Sequence, residues 1–395
     1  MLSEQAVPVV RATLPAVGGA LDRITERFYG RLFAAHPELL RDLFNRGNQA
    51  SGEQRQALAG SIAAFAVALL ERPDERPDVM LSRIAHKHAS LGVTSAQYKT
   101  VHEHLFAAIV EVLGDAVTPE VARAWDEVYW LMANALIAVE ARLYQQAGVA
   151  EGQVWRSMEI AERREETSDT VSFVMRHTDG TPTAAFLPGQ YVSVQVALPD
   201  GARQIRQYSL SAAPGHPQWR ITVKRVAGDP AGEVSSWMHD HAREGDTVDV
   251  SSPFGDLVLP EGESPLLLAS AGIGSTPMLA MLDHLAATGS TRPVVVVHAD
   301  RAPASHAHAA ELRRLVDALP QGTLHLWYEE PGDSGARTGR ADVTALDLPA
   351  GVTAYLCGPL PFLRTVRGAL VGRGVAAADI HYEVFGPDLW LGNEN

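Results

Sequence analysis

The chain has 395 residues, 46% of them apolar and 20% charged, enough for two or three domains that each bury a core. Its net charge of −14 argues against a nucleic-acid partner, which requires a basic surface. A single cysteine, Cys357, excludes an internal disulfide framework and fits a reducing compartment. The opening "MLSEQAVPVV" lacks the basic-then-apolar run of a signal peptide, and the longest apolar stretch, "SIAAFAVALL", is far short of a membrane span. The expectation is a cytoplasmic protein, monomeric and without membrane insertion, that acts on small molecules.

Residues 1–147 read as helix throughout. Proline stands mostly at turns ("HPEL", "RPDERPD", "VTPE"), and apolar residues recur at three and four: Leu21, Ile24, Phe28 and Leu32 on one face, Trp125, Val128, Leu131 and Met132 on another. Six or seven helices are expected, enough to enclose a ligand. Within them, "RIAHKHASLGV" carries two histidines at i and i+2, which lie about 200° apart on a helix and cannot share one ion. Leu81, Ile84 and Leu91 define the expected buried stripe, with His88 on their side and His86 opposite. His88 is therefore either a core histidine with its hydrogen bonds satisfied or a metal ligand, and the spacing alone leaves both readings open.

After "QQAGVAEGQ" the pattern changes to alternation. Over residues 153–260, "YVSVQVAL" places Val192, Val194, Val196 and Leu198 on one face, and "WRITVKRV" and "DTVDVSS" behave alike, which predicts an antiparallel β-barrel or sandwich. From about 263 the strands become continuous apolar runs ("PLLLAS", "PVVVVHAD", "LHLWYEE", "TAYLCGP") alternating with helical patterns. That predicts a parallel-sheet α/β domain over 263–395.

Chemistry-bearing motifs fall at the expected carboxyl edge of this sheet, where open α/β sheets collect ligands. "AGIGSTP" (271–277) follows a strand and opens a helix. Gly272 and Gly274 permit tight turns and close approach of a phosphate, and Pro277 suits the first helical turn. The third glycine of the dinucleotide fingerprint is missing, so the motif is weak alone. "LCGP" ends the last of these runs in the same manner, making Cys357 either a buried small hydrophobe or a residue beside the ligand. In the antiparallel domain, "RQYSL" (206–210) offers a cation, a ring and a hydroxyl, a set suited to a cofactor with a pyrophosphate and a flat ring system.

Taken in order, "PGQY", "RQYS", "GEVSSW", "AGIGSTP" and "CGP" resemble the ferredoxin–NADP reductase-like family across roughly residues 153–395. The resemblance implies that Arg206 binds the FAD pyrophosphate, that Gln207, Tyr208 and Ser209 line the flavin and that Tyr191 supports its adenine or ribitol side. It also implies that Gly232, Val234 and Ser235 cradle the pyrophosphate. Gly272, Ile273, Gly274, Ser275, Thr276 and Pro277, with Cys357, Gly358 and Pro359, would hold the nicotinamide nucleotide. The closing "EVFGP" resembles the family's C-terminal element, with Phe385 over the flavin and Val384, Gly386 and Pro387 around it. Pro230-Ala231-Gly232 stands where two glycines are usual, so that phosphate loop is expected to differ in shape.

The helical half, through "RFYGRLF", "HPEL", "LFNRGNQ", "GEQRQAL", "IAHKH", "QYKTVHEHL" and "ANALIAVEARLY", resembles a globin, and the whole chain resembles the flavohaemoglobins. The implied fold is multidomain: an all-α globin (1–147), an antiparallel β-barrel FAD domain (153–260) and an α/β nucleotide-binding domain (263–395). The implied cofactors are haem b, FAD and NADH or NADPH. His88 would be the proximal haem ligand, and Tyr98 and Glu140 the pair that bonds its other ring nitrogen. Tyr29 would be the distal tyrosine, donating to the diatomic ligand, with Gln54 and Leu58 completing the distal pocket. Lys87 and Glu383 would tune electron transfer.

The implied activity is conversion of nitric oxide and O2 to nitrate by an NAD(P)H-dependent nitric oxide dioxygenase. Rival readings are reduction of peroxides or of nitric oxide without oxygen, an oxygen-binding or sensing protein with a self-reducing module, and a flavin reductase whose helical domain only docks a partner. In "HADRAP", Asp300 would favour NADH through a ribose hydroxyl and Arg301 would favour a 2′-phosphate, and the sequence leaves the choice open.

Overall fold

The structure, a computed structural model, describes residues 1–75 and 77–386. The tail "DLWLGNEN" and Pro387, assigned above to the C-terminal element, lie outside the described residues. The chain forms two compact units, one of residues 1–155 with Ala197–Ile205, the other of Arg156–Val196 with Arg206–Gly386.

The first unit is helical: α1 (Ala6–Ala35), α2 (Pro37–Asp42), α3 (Arg46–Ser51), α4 (Glu53–Glu71), α5 (Asp78–Leu91), α6 (Ser95–Leu113) and α7 (Pro119–Gln146). Local chemistry marks several ends. Asn45 accepts the Asn48 N–H at the start of α3, Thr94 and Gln97 form a capping box on α6, and Thr118 accepts the Val121 N–H before Pro119 opens α7. Helix α5 ends at Gly92, which takes the left-handed conformation (φ 74°). One proline departs from the turn pattern, since α1 runs through Pro15. Fully buried Val10, Ile24, Phe28 and Leu32 of α1, Phe65 of α4, and Leu136 and Val128 of α7 form the core.

The buried face of α5 is Met80, Leu81, Ala85, Ala89 and Ser90. Of the expected stripe Leu81 is buried, whereas Ile84 and Leu91 are only half-buried, as are His86 and His88.

The second unit contains two six-stranded sheets. The first is built from β1 (Trp155–Thr167), β2 (Thr170–His177), β3 (Tyr191–Ala197), β4 (Arg203–Ser209), β5 (Trp219–Lys224) and, after helix α8 (Glu233–Asp240), β6 (Thr247–Ser251), in the order β4-β3-β6-β1-β2-β5. Its pairings β1–β2, β2–β5 and β3–β6 are antiparallel. The edges β4 and β5 are joined by the isolated antiparallel bridge Leu210–Ile221 rather than by a continuous ladder. Strand β3 is buried on both faces, Ser193 included, and it ends before Leu198, which lies in the following turn.

The second sheet takes β7 (Leu266–Ala271), helix α9 (Ser275–Ala287), β8 (Val294–Asp300), helix α10 (Ala309–Asp317), β9 (Gly322–Tyr328), β10 (Arg337–Thr338), β11 (Thr353–Cys357), helix α11 (Leu360–Gly372) and β12 (Ile380–Glu383). The strand order is β10-β9-β8-β7-β11-β12, every neighbouring pair parallel. The order reverses between β7 and β11, so the loops after Ala271 and Cys357 meet at the switch point where such sheets bind ligands. Beneath it, Leu266, Leu268, Met278, Leu282, Val296 and Tyr355 belong to one apolar cluster.

A polar network joins the two sheets within this unit. Arg220 of β5 pairs with Glu311 of α10 at 3.0 and 3.1 Å, and His308 Nδ1 lies 3.1 Å from Glu311 and 3.4 Å from Glu166. Burial pushes the Glu311 carboxyl up, but the His308 hydrogen bond and the Arg220 guanidinium outweigh it and hold its pKa down at about 2.

Candidate functional site

In the helical unit, three of the predicted residues converge. His88 of α5 lies with Nδ1 2.9 Å from Glu140 Oε1 of α7 and 2.9 Å from the Tyr98 hydroxyl of α6, and Tyr98 donates to the same Glu140 oxygen at 2.6 Å. Glu140 is 3% exposed, so its carboxylate has these partners rather than water. Because the Tyr98 proton goes to Glu140, only an N–H at His88 can satisfy the remaining contacts. The ring's proton therefore sits on Nδ1, which leaves the lone pair of Nε2 available to a metal. Burial first, then the Glu140 charge, pushes the Tyr98 phenol far up, so it stays protonated. Tyr129 donates to the Tyr98 carbonyl at 2.5 Å and Tyr144 to the Val93 carbonyl at 2.6 Å, which fixes the start of α6 and the turn after α5.

A second constellation of the unit is built on α1, α3 and α4. Tyr29 is 5% exposed. Burial raises its pKa to about 12 against the opposing influence of the nearby Gln54 and Gln49 amides, so the phenol is a proton donor at any physiological pH. Its ring packs against Phe28, Phe33 and Phe44 at 4.7, 5.5 and 5.8 Å between centroids. Gln54 and Leu58 stand one turn apart on α4, on one face.

Gln49 was not singled out from the sequence, although it closes the quoted stretch "LFNRGNQ"; a six-residue helix is too short for periodicity to orient its side chains. Its Nε2 is buried without a hydrogen-bond partner. A buried donor left open beside a buried phenol suits a polar ligand atom placed there. Together with the open Nε2 of His88, this donor set fits a haem carrying a small distal ligand.

In the second unit, the flavin-site candidates fall on β3, β4 and the start of α8. Arg206, Gln207 and Tyr208 are half-buried and Ser209 is buried. Burial pushes the Tyr208 phenol up, partly offset by Arg206. The Gln207 amide donates to Ser193 Oγ at 3.0 Å and so braces β3 against β4. Ser235 also bonds within its own loop, where its Oγ accepts the Val226 N–H at 3.1 Å and donates to the Gly232 carbonyl at 3.2 Å. Gly232 is needed for that packing, since a Cβ there would lie 2.6 Å from Ser235 Oγ and 2.8 Å from Val226 Cβ.

The phosphate loop differs from the two-glycine pattern in containing a cis Asp229–Pro230 peptide. The N–H groups opening α8 and the Arg206 guanidinium, 3.9 Å from Glu233, make a donor set that fits a pyrophosphate. Tyr191 packs its ring on Gly255, where a Cβ would come within 3.1 Å. Val384, Phe385 and Gly386 follow β12, with Phe385 47% exposed. Lys87 lies half-buried on α5, and Glu383 ends β12 in register with Cys357.

The two nucleotide motifs meet backbone to backbone. A Cβ on Gly274 would lie 2.3 Å from the Cys357 carbonyl oxygen and 2.8 Å from the Gly358 nitrogen. Gly272 has φ 53°, and a Cβ there would meet nothing within 4 Å, so that face admits a phosphate. Helix α9 starts at Ser275, placing Pro277 third in its first turn, and Ser275 Oγ is buried without a hydrogen-bond partner. Thr276 donates to the Ile273 carbonyl at 3.0 Å. The Cys357 thiol is fully buried in the apolar cluster and pushed up by burial and by Glu383, so of the two readings its side chain follows the first while its backbone forms the motif.

A histidine braced by Glu140 and Tyr98 in a helical unit suited to haem, followed by sheets suited to a flavin and a nicotinamide nucleotide, points to a haem–flavin reductase class. Three family models match in that order: Globin over residues 26–136, Oxidoreductase FAD-binding domain over 157–258 and Oxidoreductase NAD-binding domain over 268–368. The flavohemoprotein of Bordetella pertussis is 44% identical over 98% of this chain and 99% of its own. The crystal structure of flavohemoglobin from Malassezia yamatoensis with bound FAD and heme superposes with a TM-score of 0.91 at 40% identity, covering 98% of this chain and 100% of that one. The FAD/NAD-binding domain of nitric oxide dioxygenase from Vibrio cholerae is 37% identical with a TM-score of 0.56, covering 59% of this chain and 99% of that one. The chain belongs to the flavohemoprotein family.

Proposed function

We propose that the chain is an NAD(P)H-dependent nitric oxide dioxygenase, with residues 1–147 holding haem b, 153–260 holding FAD and 263–395 holding the nicotinamide nucleotide. When bound, the nicotinamide supplies an electron pair, the flavin parts it into single electrons, and the haem iron applies them to O2 and nitric oxide to give nitrate.

The carrying observation is the His88–Glu140–Tyr98 group. His88 would take the iron through Nε2, and Glu140, by holding the Nδ1 proton, raises the basicity of the ring beyond what a neutral partner gives. An oxygen carrier gains little from that push, whereas an enzyme turning over O2 depends on it. Tyr29, protonated and clamped by aromatic rings, keeps a hydroxyl donor in the distal pocket, with Gln54 and Gln49 beside it. Arg206 offsets pyrophosphate charge, and Tyr208 and Ser209 line the flavin. Gly274 lets α9 approach the Cys357–Gly358 backbone so that both nucleotide loops reach one ligand. Lys87 and Glu383 set the charge around the electron path.

The test is nitrate formation from nitric oxide, O2 and NADH by the haem- and FAD-loaded protein. Nitrate from nitric oxide and O2 requires one added electron, so about two nitrates should form per nicotinamide oxidised. Product formation that persists without O2, or NADH oxidation that nitric oxide does not accelerate, would overturn the reading in favour of a reductase or an oxygen-binding protein.

A further inference from the structure

Gln204, in β4, is fully buried although it is a polar residue of a β-hairpin strand. Its hairpin segment, Ala197–Ile205, packs within the helical unit. There the Gln204 amide nitrogen lies 3.0 Å from the Arg41 carbonyl, 3.2 Å from the Phe44 carbonyl and 3.4 Å from the Leu40 carbonyl. Its carbonyl oxygen accepts the Arg46 N–H at 3.3 Å.

These groups need such partners. Helix α2 has six residues, so its closing carbonyls have no N–H one turn ahead inside the helix, and Arg46 is the first residue of α3, whose N–H is likewise orphaned. One side chain therefore closes the end of one helix and the start of the next. Two further contacts hold the hairpin at this corner. The Arg203 N–H donates to Asp42 Oδ1 at 3.1 Å, and the Arg46 guanidinium pairs with Asp200 at 2.6 Å.

The corner matters for what it carries. One of the three carbonyls that Gln204 holds belongs to Phe44, whose ring packs edge-on against Tyr29 at 5.8 Å and against Phe33 at 5.4 Å. The helix whose first N–H it holds carries Gln49, whose buried Nε2 has no hydrogen-bond partner and which lies close enough to oppose the rise of the Tyr29 pKa. The ring that packs on Tyr29 and the helix that carries Gln49 are thus anchored by the same amide.

We infer that Gln204 is a positioning residue of the haem site, fixing the Phe44–Gln49 corner and through it the direction of the Tyr29 hydroxyl. The inference rests on the haem reading given above. Gln204→Met, which keeps length and volume but neither donates nor accepts strongly, frees the corner while leaving every residue of the pocket in place.

The experiment uses the full-length, haem-loaded, reduced protein with carbon monoxide as the probe, and reads the C–O stretching band, which reports hydrogen bonding to the ligand. In Gln204→Met the band should move from its wild-type position toward that of Tyr29→Phe, and carbon monoxide release should change by roughly five- to tenfold. Amide exchange at residues 45–49 should accelerate alongside. A role confined to fold stability would lower the melting temperature and speed exchange without moving the band. An unmoved band in a folded Gln204→Met protein, with Tyr29→Phe shifting it, overturns the inference.

If Gln204→Met does not accumulate, Arg46→Ala cuts the pair with Asp200 and is read the same way. A smaller shift in the same direction supports the inference, and no shift overturns it. A wild-type chain that takes up no haem would overturn the underlying reading, and a Tyr29→Phe protein whose band stays in place would remove only the distal role of Tyr29, taking this inference with it.

Discussion

Substituting Gly274 by alanine tests how the two nucleotide loops are built. The residue has φ −62°, a conformation alanine adopts freely, so no backbone strain enters and the effect is purely steric. The added Cβ would sit 2.3 Å from the Cys357 carbonyl oxygen, 2.6 Å from its carbon and 2.8 Å from the Gly358 nitrogen. All three are backbone atoms in and just after β11, which is hydrogen-bonded on both sides in a six-stranded sheet, so they cannot turn aside as a side chain would. Ordinary contact requires a separation about 1 Å larger, so the start of α9 must move off the sheet by about that much, at a cost of about 1–3 kcal/mol.

Ser275 and Thr276 move with it, so the expected result is a rise of about tenfold or more in the NADH concentration that half-saturates flavin reduction. The melting temperature should fall with it. Gly368→Ala is the control: a Cβ there meets nothing within 4 Å, and alanine in α11 should be neutral or stabilising by about 0.5–1 kcal/mol. Stopped-flow reduction of the flavin by NADH is the assay. An unchanged half-saturation in Gly274→Ala would refute the argument that backbone contact between the motifs sets the nucleotide site.

Other outcomes follow from the same geometry. Glu140→Gln keeps the shape around His88 but removes the charge that holds Nδ1–H at 2.9 Å; the iron should become easier to reduce and turnover should drop about tenfold, as potentiometry and nitrate assays would record. Asp300 is held at the end of β8 by the Ser305 hydroxyl at 2.8 Å and the Arg301 N–H at 2.7 Å; burial raises its pKa, but its contact with His298 and these bonds win, leaving it ionised and repellent to a 2′-phosphate. NADH should therefore be preferred, and Asp300→Ser should narrow the NADH-to-NADPH ratio of kcat/KM by about tenfold. Glu311 has its pKa held at about 2, below an ordinary value of 4.5, so its contribution is complete above about pH 4.5 and is lost as pH falls toward 2. The melting-temperature gap between wild type and Glu311→Gln should then be widest near neutrality, on the order of 2 kcal/mol in stability, and close in acid.

Much of the fold is legible along the chain because the signals are local. The change from helical spacing to alternation and then to unbroken apolar runs follows from which faces each element buries, and the glycine turns announce themselves by residue type. His88 shows the limit of such signals. Its spacing excluded a two-histidine site yet left a core histidine and a metal ligand both open, and of the stripe drawn through Leu81, Ile84 and Leu91 only Leu81 lies on the face that α5 buries. The ligand reading gains its support from Glu140 and Tyr98, which lie 52 and 10 residues away in sequence and meet His88 only when α5, α6 and α7 pack.

Gln49 and Gln204 were illegible for a related reason. One lies on a helix too short to show a period, and the other reads as an ordinary polar strand residue until its hairpin is placed on the carbonyls of α2. Gly274 is the clearest instance. The sequence marked it as a turn glycine, but its φ needs no glycine at all; the requirement is the backbone of Cys357 and Gly358, 83 and 84 positions on, at a distance no side chain can share. Residue type and periodicity carry what an element does to its own neighbours. Only the packed chain determines which distant groups it must accommodate.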